Sequence, residues 1–178
     1  MKRRELLLGC GYQRNKLLVP LGTEKEFQNV DTCDINFACN PDFVLNLEYR
    51  TSWLKFPDDS YDEIHAYEFL EHLGQQGDVE RFFFDFGECY RILRDGGFLC
   101  ASVPSRFSPW LWGDPGHRRA ILPESLIFLD QTAYRQVGKT AISDYRGLWR
   151  GDFKIIESRD DKTFHWFILQ AVKPARSI

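Results

Sequence analysis

Short apolar runs separated by polar breaks recur along the first hundred residues, and this pattern is typical of buried strands. Two further runs flank a polar turn near the C-terminus and predict a β-hairpin. Altogether the pattern predicts strands at residues 5–8, 29–34, 43–47, 61–67, 98–103, 153–158 and 163–172. The last of these is apolar on both faces, which favours a position inside the sheet rather than at its edge.

One segment follows the helical period instead. Between Val79 and Leu93 the apolar residues recur at spacings of three and four, so they form one stripe along a helix. Asp78 fits the N-cap position, and the turn residues 95–97 indicate where the helix stops. Residues 105–150, in contrast, are irregular and rich in tryptophan, proline and glycine.

Strands that alternate with helices or long connections predict a mostly parallel sheet with right-handed crossovers. We therefore expect an α/β fold with three layers around a seven-stranded sheet, in which a C-terminal hairpin strand runs antiparallel. The length of 178 residues suits a single domain over 1–178, with 105–150 as a substrate or lid segment. Ligands of such sheets bind at the carboxyl ends of the strands.

Composition removes several classes of protein. A net charge of -3 provides no global basic field for phosphates, so a nucleic-acid partner is disfavoured. Aromatic residues reach 15%, which excludes overall disorder. No apolar run approaches the roughly 20 residues that cross a bilayer, and the run at 6–8 is too short for a signal peptide, so we expect a cytoplasmic protein. The 5 cysteines contain no Cys-x-x-Cys pair, which favours free thiols.

The first candidate for binding chemistry is the turn after the first strand, Gly9-Cys10-Gly11, where small residues let the backbone approach a ligand. The dinucleotide fingerprint fails, because Arg14 occupies its third glycine position, so a nicotinamide enzyme is disfavoured. Asp34 ends the second strand, about 20 residues after these glycines, where an acidic side chain accepts hydrogen bonds from both hydroxyls of a ribose. Strand alternation turns Asp31 to the opposite face.

Five segments in this order resemble the class I S-adenosylmethionine-dependent methyltransferases: residues 6–11, 30–36, 41–47, 56–64 together with 68–73, and 90–104. The resemblance implies a Rossmann-like fold and an enzyme that uses S-adenosylmethionine to methylate an oxygen or nitrogen of a small-molecule acceptor. It assigns cofactor binding to Gly9, Cys10, Gly11, Asp34, Ile35, Asn46, Leu47, Tyr67 and Glu68, with the Tyr67 ring near the sulfonium.

Two departures from that family keep an alternative open. Gln13 stands where a further glycine is common, and Asn46 stands where an aspartate often contacts adenine. The Asn46 amide oxygen is still able to accept a hydrogen bond from the adenine amino group. The alternative is a non-catalytic protein on the same fold that binds a nucleotide or a partner.

The sequence Glu68-x-x-Glu71-His72 raises a second alternative. On a helix these side chains share one face, and two carboxylates with an imidazole suit Mg²⁺ or Mn²⁺. The pattern resembles metal-dependent methyltransferases, including 2′-O enzymes, with His117 as a further candidate ligand. We assign no metal at this point, because Leu-Glu-His also occurs in relatives without one, and keep Glu68, Glu71 and His72 as candidates.

The irregular segment supplies the candidate for catalysis. His117 follows an Asp-Pro-Gly turn, in the region where the family places substrate-facing residues, and histidine changes its charge near neutral pH. We therefore take His117 as a general base, against the alternative that it tethers the loop. Trp110, Trp112 and Trp149 form either an aromatic wall for the acceptor or part of a small core. Neighbouring arginines 118 and 119 bind an anionic group or lie in a solvated loop.

Overall fold

The computed structural model describes residues 2–177, and a seven-stranded sheet runs through its centre. The strands are β1 (Glu5–Leu8), β2 (Val30–Asp34), β3 (Phe43–Val44), β4 (Tyr61–Tyr67), β5 (Leu93–Pro104), β6 (Phe153–Asp160) and β7 (Phe164–Ala171). Their spatial order is β3-β2-β1-β4-β5-β7-β6. Neighbours from β3 to β5 pair in parallel, and β7 is antiparallel to both β5 and β6, so the predicted fold class is confirmed.

The long helix of the sequence pattern is α1, Val79–Ile92, and the side chain of Asp78 accepts the backbone N–H of Arg81 as its N-cap. Two helices of one turn follow in the irregular segment, α2 (Trp110–Gly113) and α3 (Pro123–Leu126). Short 3₁₀ helices cover Phe37–Cys39, Arg50–Lys55, Leu70–His72, Ile127–Leu129 and Gln131–Gln136.

Two predicted boundaries were wrong. Strand β5 begins directly after α1, because Leu93 already pairs with Tyr61, so the turn residues 95–97 lie in the strand instead of after the helix. Strand β3 is only two residues long, because the chain leaves the sheet after Val44. The residues that follow it, 45–47, then lie beside the end of β2, where the backbone N–H of Leu45 donates to the Asp34 carbonyl at 3.0 Å.

The two faces of the sheet are covered differently. Helix α1 and residues of the 105–150 segment bury the larger apolar core on one face. The chain between β1 and β2 covers the other face without forming a helix, and it buries a smaller cluster there. Within this layer the ammonium of Lys16 is fully buried and donates to carboxylates of Glu5 and Glu63 at 2.7 and 2.8 Å.

The strand order also locates the crevice. The chain moves outward from β1 to β3 and then returns to the other side of β1 to form β4. Ligands of open α/β sheets bind where the order reverses in this way, outside the carboxyl ends of the strands. The residues after β1, β2 and β4 therefore face one another at a single edge.

Candidate functional site

A cavity of about 570 Å³ lies at this edge of the sheet. Its volume is within the range of roughly 300–1,000 Å³ that is usual for small-molecule and cofactor sites. Six of the nine predicted cofactor residues line it: Gly9, Asp34, Ile35, Asn46, Leu47 and Glu68. Phe69, Leu45 and Gly116 also contribute, together with Cys33, Glu48, His72, Leu73, Pro115 and Arg118.

Gly9 lines this cavity at a position where the side chain of Phe69 leaves no room for a Cβ atom. Its φ is +60°, a conformation that favours glycine, and a Cβ on it would lie 2.4 Å from Cδ2 of Phe69. Phe69 is a site residue that the sequence analysis missed. An aromatic residue after a buried strand is typical of a core position, so the sequence carried no distinct signal for it.

The Asp34 carboxylate accepts fewer hydrogen bonds within the protein than its two oxygens are able to accept. Its Oδ2 accepts the Gly11 N–H at 2.7 Å, and its Oδ1 accepts the Asn36 N–H at 2.8 Å. An ionised carboxylate accepts about four hydrogen bonds, so roughly two positions stay open. Asp31 lies outside the cavity and binds Tyr61 Oη at 2.6 Å and Arg4 at 3.0 Å. The structure thus places Asp34, and not Asp31, at the site.

Asn46 and Leu47 line the cavity through the short connection after β3. Asn46 Oδ1 accepts the Glu48 N–H at 2.9 Å, which fixes the amide and leaves its NH₂ group free to donate. The Leu47 carbonyl accepts from Trp53 Nε1 at 3.0 Å and from Arg81 at 2.8 Å. These bonds hold the connection in place although it forms no strand.

Cys10 and Gly11 do not line the cavity. The Cys10 side chain lies in the apolar cluster on the opposite face, where burial raises the pKa of its thiol to about 11. Cys10, Asp34 and Cys39 offer ligand atoms within 4.8 Å of one another, and both cysteine side chains are buried. Gly11 acts through its N–H to Asp34 instead.

Tyr67, which we expected near the sulfonium, does not line the cavity. Its ring lies in the opposite apolar cluster, and its hydroxyl accepts the N–H groups of Leu17 and Leu18, both at 3.1 Å. With its acceptor positions used, the hydroxyl donates to Nδ1 of His65 at 2.7 Å, and the other ring nitrogen then donates to Glu63 at 3.0 Å. Tyr67 therefore fixes the loop that follows Gly11.

A second cavity, of about 420 Å³, adjoins the first and shares Glu68 and His72 with it. Its other lining residues come from the end of β5, the irregular segment and the start of β7 with the residue before it: Pro104, Ser108, Trp110, Asp114, His117, Thr163 and Phe164. Trp110 is exposed at its rim, but Trp149 is buried in the core, stacked on Phe83. The wall of three tryptophans is therefore not formed, and Trp112 lines neither cavity.

The Glu-x-x-Glu-His residues do not share one helix face. Glu68 has a φ of +51° and directly follows β4, and only Leu70–His72 form a 3₁₀ turn. Glu68 Oε1 accepts the Ser102 hydroxyl at 3.0 Å. Glu71 is fully buried, and its ligand atom groups with those of His72 and His117 within 4.8 Å. His117 thus takes the place expected for Glu68.

His117 is held among acidic groups. Its Nε2 lies 3.9 Å from Glu71 Oε1 and 3.9 Å from Asp114 Oδ2, and its ring meets that of His72 edge-on at 4.9 Å. Burial, followed by the neighbouring Glu68 carboxylate, raises the pKa of Glu71 to about 9. Burial likewise raises the pKa of Glu68. Both carboxyls therefore take up protons more readily than ordinary glutamates.

The two neighbouring arginines differ. Arg118 lines the first cavity and pairs with Glu48 at 3.3 Å, so it faces the site. Arg119 is only 4% exposed and lies against Phe82, which corrects the expectation of a solvated loop at this position. The backbone N–H groups of both donate to the Glu71 carbonyl, at 2.9 and 3.2 Å, and so attach the irregular segment to the site.

A Rossmann-like sheet with a cavity at its switch point, and a second cavity beside it, is the arrangement expected of a class I methyltransferase. The methyltransferase domain family matches residues 6–101, which is more than half of the chain. The chain belongs to this family, and it is an enzyme. None of the curated proteins matches it.

Solved structures share the fold at low sequence identity. A SAM-dependent methyltransferase from Archaeoglobus fulgidus is 17% identical, with a TM-score of 0.57 over 95% of this chain and 86% of that one. An S-adenosylmethionine-dependent methyltransferase from Mesorhizobium loti is 15% identical, with a TM-score of 0.56 over 95% and 91%. The [4+2]-cyclase SpnF is 16% identical, with a TM-score of 0.53 over 98% and 76%. One fold therefore supports more than one reaction.

Proposed function

We propose that this enzyme transfers a methyl group from S-adenosylmethionine to an oxygen or nitrogen of a small-molecule acceptor. The proposal depends mainly on one observation: the cavity of about 570 Å³ at the switch point is lined by Gly9, Asp34, Asn46 and Glu68. A second cavity opens beside it and shares Glu68, so two reactants have adjacent places. No helix within residues 2–177 is long and apolar enough to cross a membrane, and we propose a cytoplasmic location.

The cavity residues fit the cofactor. Asp34 keeps about two acceptor positions beyond its bonds to Gly11 and Asn36, which matches the two hydroxyls of a ribose. The free NH₂ group of Asn46 is able to donate to a ring nitrogen of adenine, and Ile35 offers an apolar side chain that is 64% exposed. At Gly9 the backbone comes close to the cavity without a side chain.

When bound, the cofactor supplies a sulfonium whose methyl group is already electrophilic. The residues of this chain then mainly position the acceptor, a contribution that reaches roughly 7–11 kcal/mol for well-oriented reactants. We place the acceptor in the second cavity, with the exposed Trp110 at its rim. His117 lines this cavity, and we propose that it removes the proton of the acceptor. The 105–150 segment, which contributes both residues, would set the choice of acceptor.

Equilibrium binding of S-adenosylhomocysteine, measured by calorimetry, tests the cofactor site. We expect saturable binding that Asp34→Ala weakens at least about tenfold, since two hydrogen bonds to a charged group are lost. Asp31→Ala is the matched control on the same strand, and we expect it to leave the affinity within about twofold. Absence of binding to the parent protein at millimolar ligand, or equal losses in both variants, would contradict the proposal.

The alternative is a non-catalytic or non-methylating protein on the same fold. Gln13 and Asn46 favour it, because they depart from the family pattern, and the fold shared with a cyclase shows that reactions other than methyl transfer occur on this scaffold. Conversion of S-adenosylmethionine to S-adenosylhomocysteine in the presence of any acceptor would exclude it.

A further inference from the structure

A third cavity lies apart from the two already described. It has a volume of about 230 Å³, opens beside the first turn of α1, and shares no lining residue with the other two. The consecutive residues His117, Arg118 and Arg119 line the second, the first and the third cavity, in that order. One short stretch of the irregular segment therefore contributes to three separate spaces.

The walls of the third cavity are mostly aromatic. Its apolar lining comes from one face of α1 and from the irregular segment: Val79, Phe82, Phe83, Phe128 and Tyr145. Phe83 is buried, whereas the lining residues 75–78 are exposed, so the cavity is open to solvent on the side of that turn. Because an apolar cavity of about 150 Å³ is large enough for one benzene ring, this one has room for a ring with a small substituent.

Arg119 is the charged group that this cavity leaves without a full set of partners. Its side chain is 4% exposed, and its Nε has no hydrogen-bond partner among residues 2–177. An arginine Nε carries a hydrogen and is only able to donate. Nη2 makes one long hydrogen bond, of 3.4 Å, to the Gln75 carbonyl. A buried N–H without an acceptor costs free energy, and an oxygen of a ligand would remove that cost.

The guanidinium of Arg119 is already held in position. A Cβ on Gly74 would overlap its Nη2, so the group lies where only a glycine leaves room for it. On another side its central carbon lies 5.7 Å from the centre of the Phe82 ring. Because the side chain is ordered before a ligand arrives, binding would cost little further side-chain entropy.

Positive charge is in excess around Arg119. Among residues 2–177, three guanidinium groups share two carboxylates: those of Arg81, Arg118 and Arg119 with those of Glu48 and Asp85. Asp85 lies 2.7 Å from Arg81 but 3.9 Å from Arg119. Burial raises the pKa of Asp85 to about 7, so part of its charge is absent at neutral pH. The carboxylate of Asp78 also lines the cavity, but this residue is exposed at the opening and caps α1.

We propose that the third cavity binds a small aromatic carboxylate, with its ring between Phe82 and Phe128 and its carboxylate accepting from Nε of Arg119. A guanidinium presents its N–H groups in a planar fork that matches a carboxylate. The aromatic side chains suit a flat ring, and the negative charge of the ligand would balance the excess positive charge. Binding does not rest on the proposed function, because no residue of the other two cavities takes part.

The third cavity is connected to the proposed methyl-transfer site through the backbone. The N–H of Gln76 donates to the Arg118 carbonyl at 2.9 Å, and the N–H of Ala120 donates to Oε1 of Gln76 at 2.9 Å. The turn before α1 is thus attached to the stretch that contains His117 and Arg118. A ligand in the third cavity would stabilise this stretch, and only this regulatory consequence rests on the proposed function.

Titration of the protein with benzoate, followed by NMR, tests the site. We expect one saturable site with a dissociation constant below about 1 mM. The Nε–H signal of Arg119, identified by its absence from the spectrum of Arg119→Lys, should shift as benzoate binds. Benzyl alcohol has the ring without the charge, and benzylamine has the opposite charge. We expect both to bind at least about tenfold more weakly than benzoate.

Three consecutive substitutions show which cavity is occupied. Arg119→Gln should weaken benzoate binding at least about tenfold, because the charged donor is lost. Arg118→Gln and His117→Gln are the matched controls, since they alter the first and the second cavity, and each should change the affinity less than about twofold. Thermal unfolding shows whether each variant is folded, and benzoate should raise the Tm of every protein except Arg119→Gln.

The site is overturned if benzoate does not saturate the parent protein at millimolar concentration, or if benzyl alcohol binds as tightly. Displacement of benzoate by S-adenosylhomocysteine, or an equal loss of affinity in Arg118→Gln or His117→Gln, would also overturn it, because benzoate would then occupy another cavity. The NMR shift and the ligand series use a folded parent, so they decide the matter even if Arg119→Gln does not fold. Benzoate binding by a protein that binds no S-adenosylhomocysteine would contradict the proposed function alone.

Discussion

Replacement of Gly9 by alanine tests whether the Phe69 ring excludes a side chain from this position in the cavity wall. The new Cβ would lie 2.4, 2.7 and 2.8 Å from three atoms of the Phe69 side chain, so the ring has to move. Residue 9 would also keep a φ of +60°, at a cost of roughly 1–2 kcal/mol for a residue other than glycine. Overpacking adds about 1–3 kcal/mol. We expect a total loss of about 2–5 kcal/mol in the free energy of unfolding.

Gly11→Ala is the matched control for this change. Its φ is +47°, but no atom of another residue within 2–177, its chain neighbours aside, lies within 4 Å of the Cβ position, so only the backbone cost of roughly 1–2 kcal/mol applies. Urea denaturation followed by circular dichroism gives both values. With Phe69→Ala measured alone, the loss in the double variant Gly9→Ala with Phe69→Ala should be about 1–3 kcal/mol smaller than the sum of the two single losses. Equal losses at Gly9 and Gly11, or strictly additive losses in the double variant, would refute the reasoning.

Three further predictions address the rest of the fold. Lys16→Met should cost about 3–5 kcal/mol in a urea titration, because it leaves the buried carboxylates of Glu5 and Glu63 without their ammonium partner. Burial alone would raise the pKa of Glu63, but hydrogen bonds from His65 and Lys16 outweigh it and lower that pKa below its ordinary value of 4.5. The stability that Glu63 contributes is therefore present above pH 4.5 and is lost as the pH falls through the lowered pKa. Urea midpoints measured across acid pH should show less of this loss in Lys16→Met than in the parent protein. The same pH dependence in both proteins would count against the pairing of Lys16 with Glu63. Trp149→Ala should cost about 3–5 kcal/mol, whereas Trp110→Ala should stay within about 0.5 kcal/mol and change only acceptor binding; similar losses of stability would contradict this division. Exchange of residues 105–114, which line only the second cavity, for the segment of another methyltransferase should alter the acceptor while calorimetry finds the affinity for S-adenosylhomocysteine nearly unchanged, and a collapse of that affinity would contradict the assignment of the two cavities.

The sheet was predictable because its signals are local. Buried parallel strands appear as short apolar runs, and the stripe from Val79 onward fixes the helix within one residue. The start of β5 was missed because glycines and an aspartate at 95–97 usually end an element, whereas here Leu93 is drawn into the sheet by its pairing with Tyr61. Tertiary pairing outweighed local propensity at this point.

The site was predictable only in part, for a related reason. Strand ends place Asp34 and Gly9 at the same edge, so their position follows from topology. Topology does not fix the direction in which a side chain near a strand end points. Tyr67 points to the opposite face of the sheet, where its hydroxyl accepts hydrogen bonds from the N–H groups of Leu17 and Leu18. The contact of His117 with Glu71 joins positions far apart in sequence, and no sequence periodicity reports it.

A crystal structure of the protein soaked with S-adenosylhomocysteine tests the central claim most directly. The account predicts density in the cavity between Asp34 and Glu68, with the ribose hydroxyls on the Asp34 carboxylate and the adenine beside Asn46 and Ile35. It also predicts that the sulfur faces the second cavity. Ligand bound elsewhere on the chain, or a ribose that makes no contact with Asp34, would contradict it.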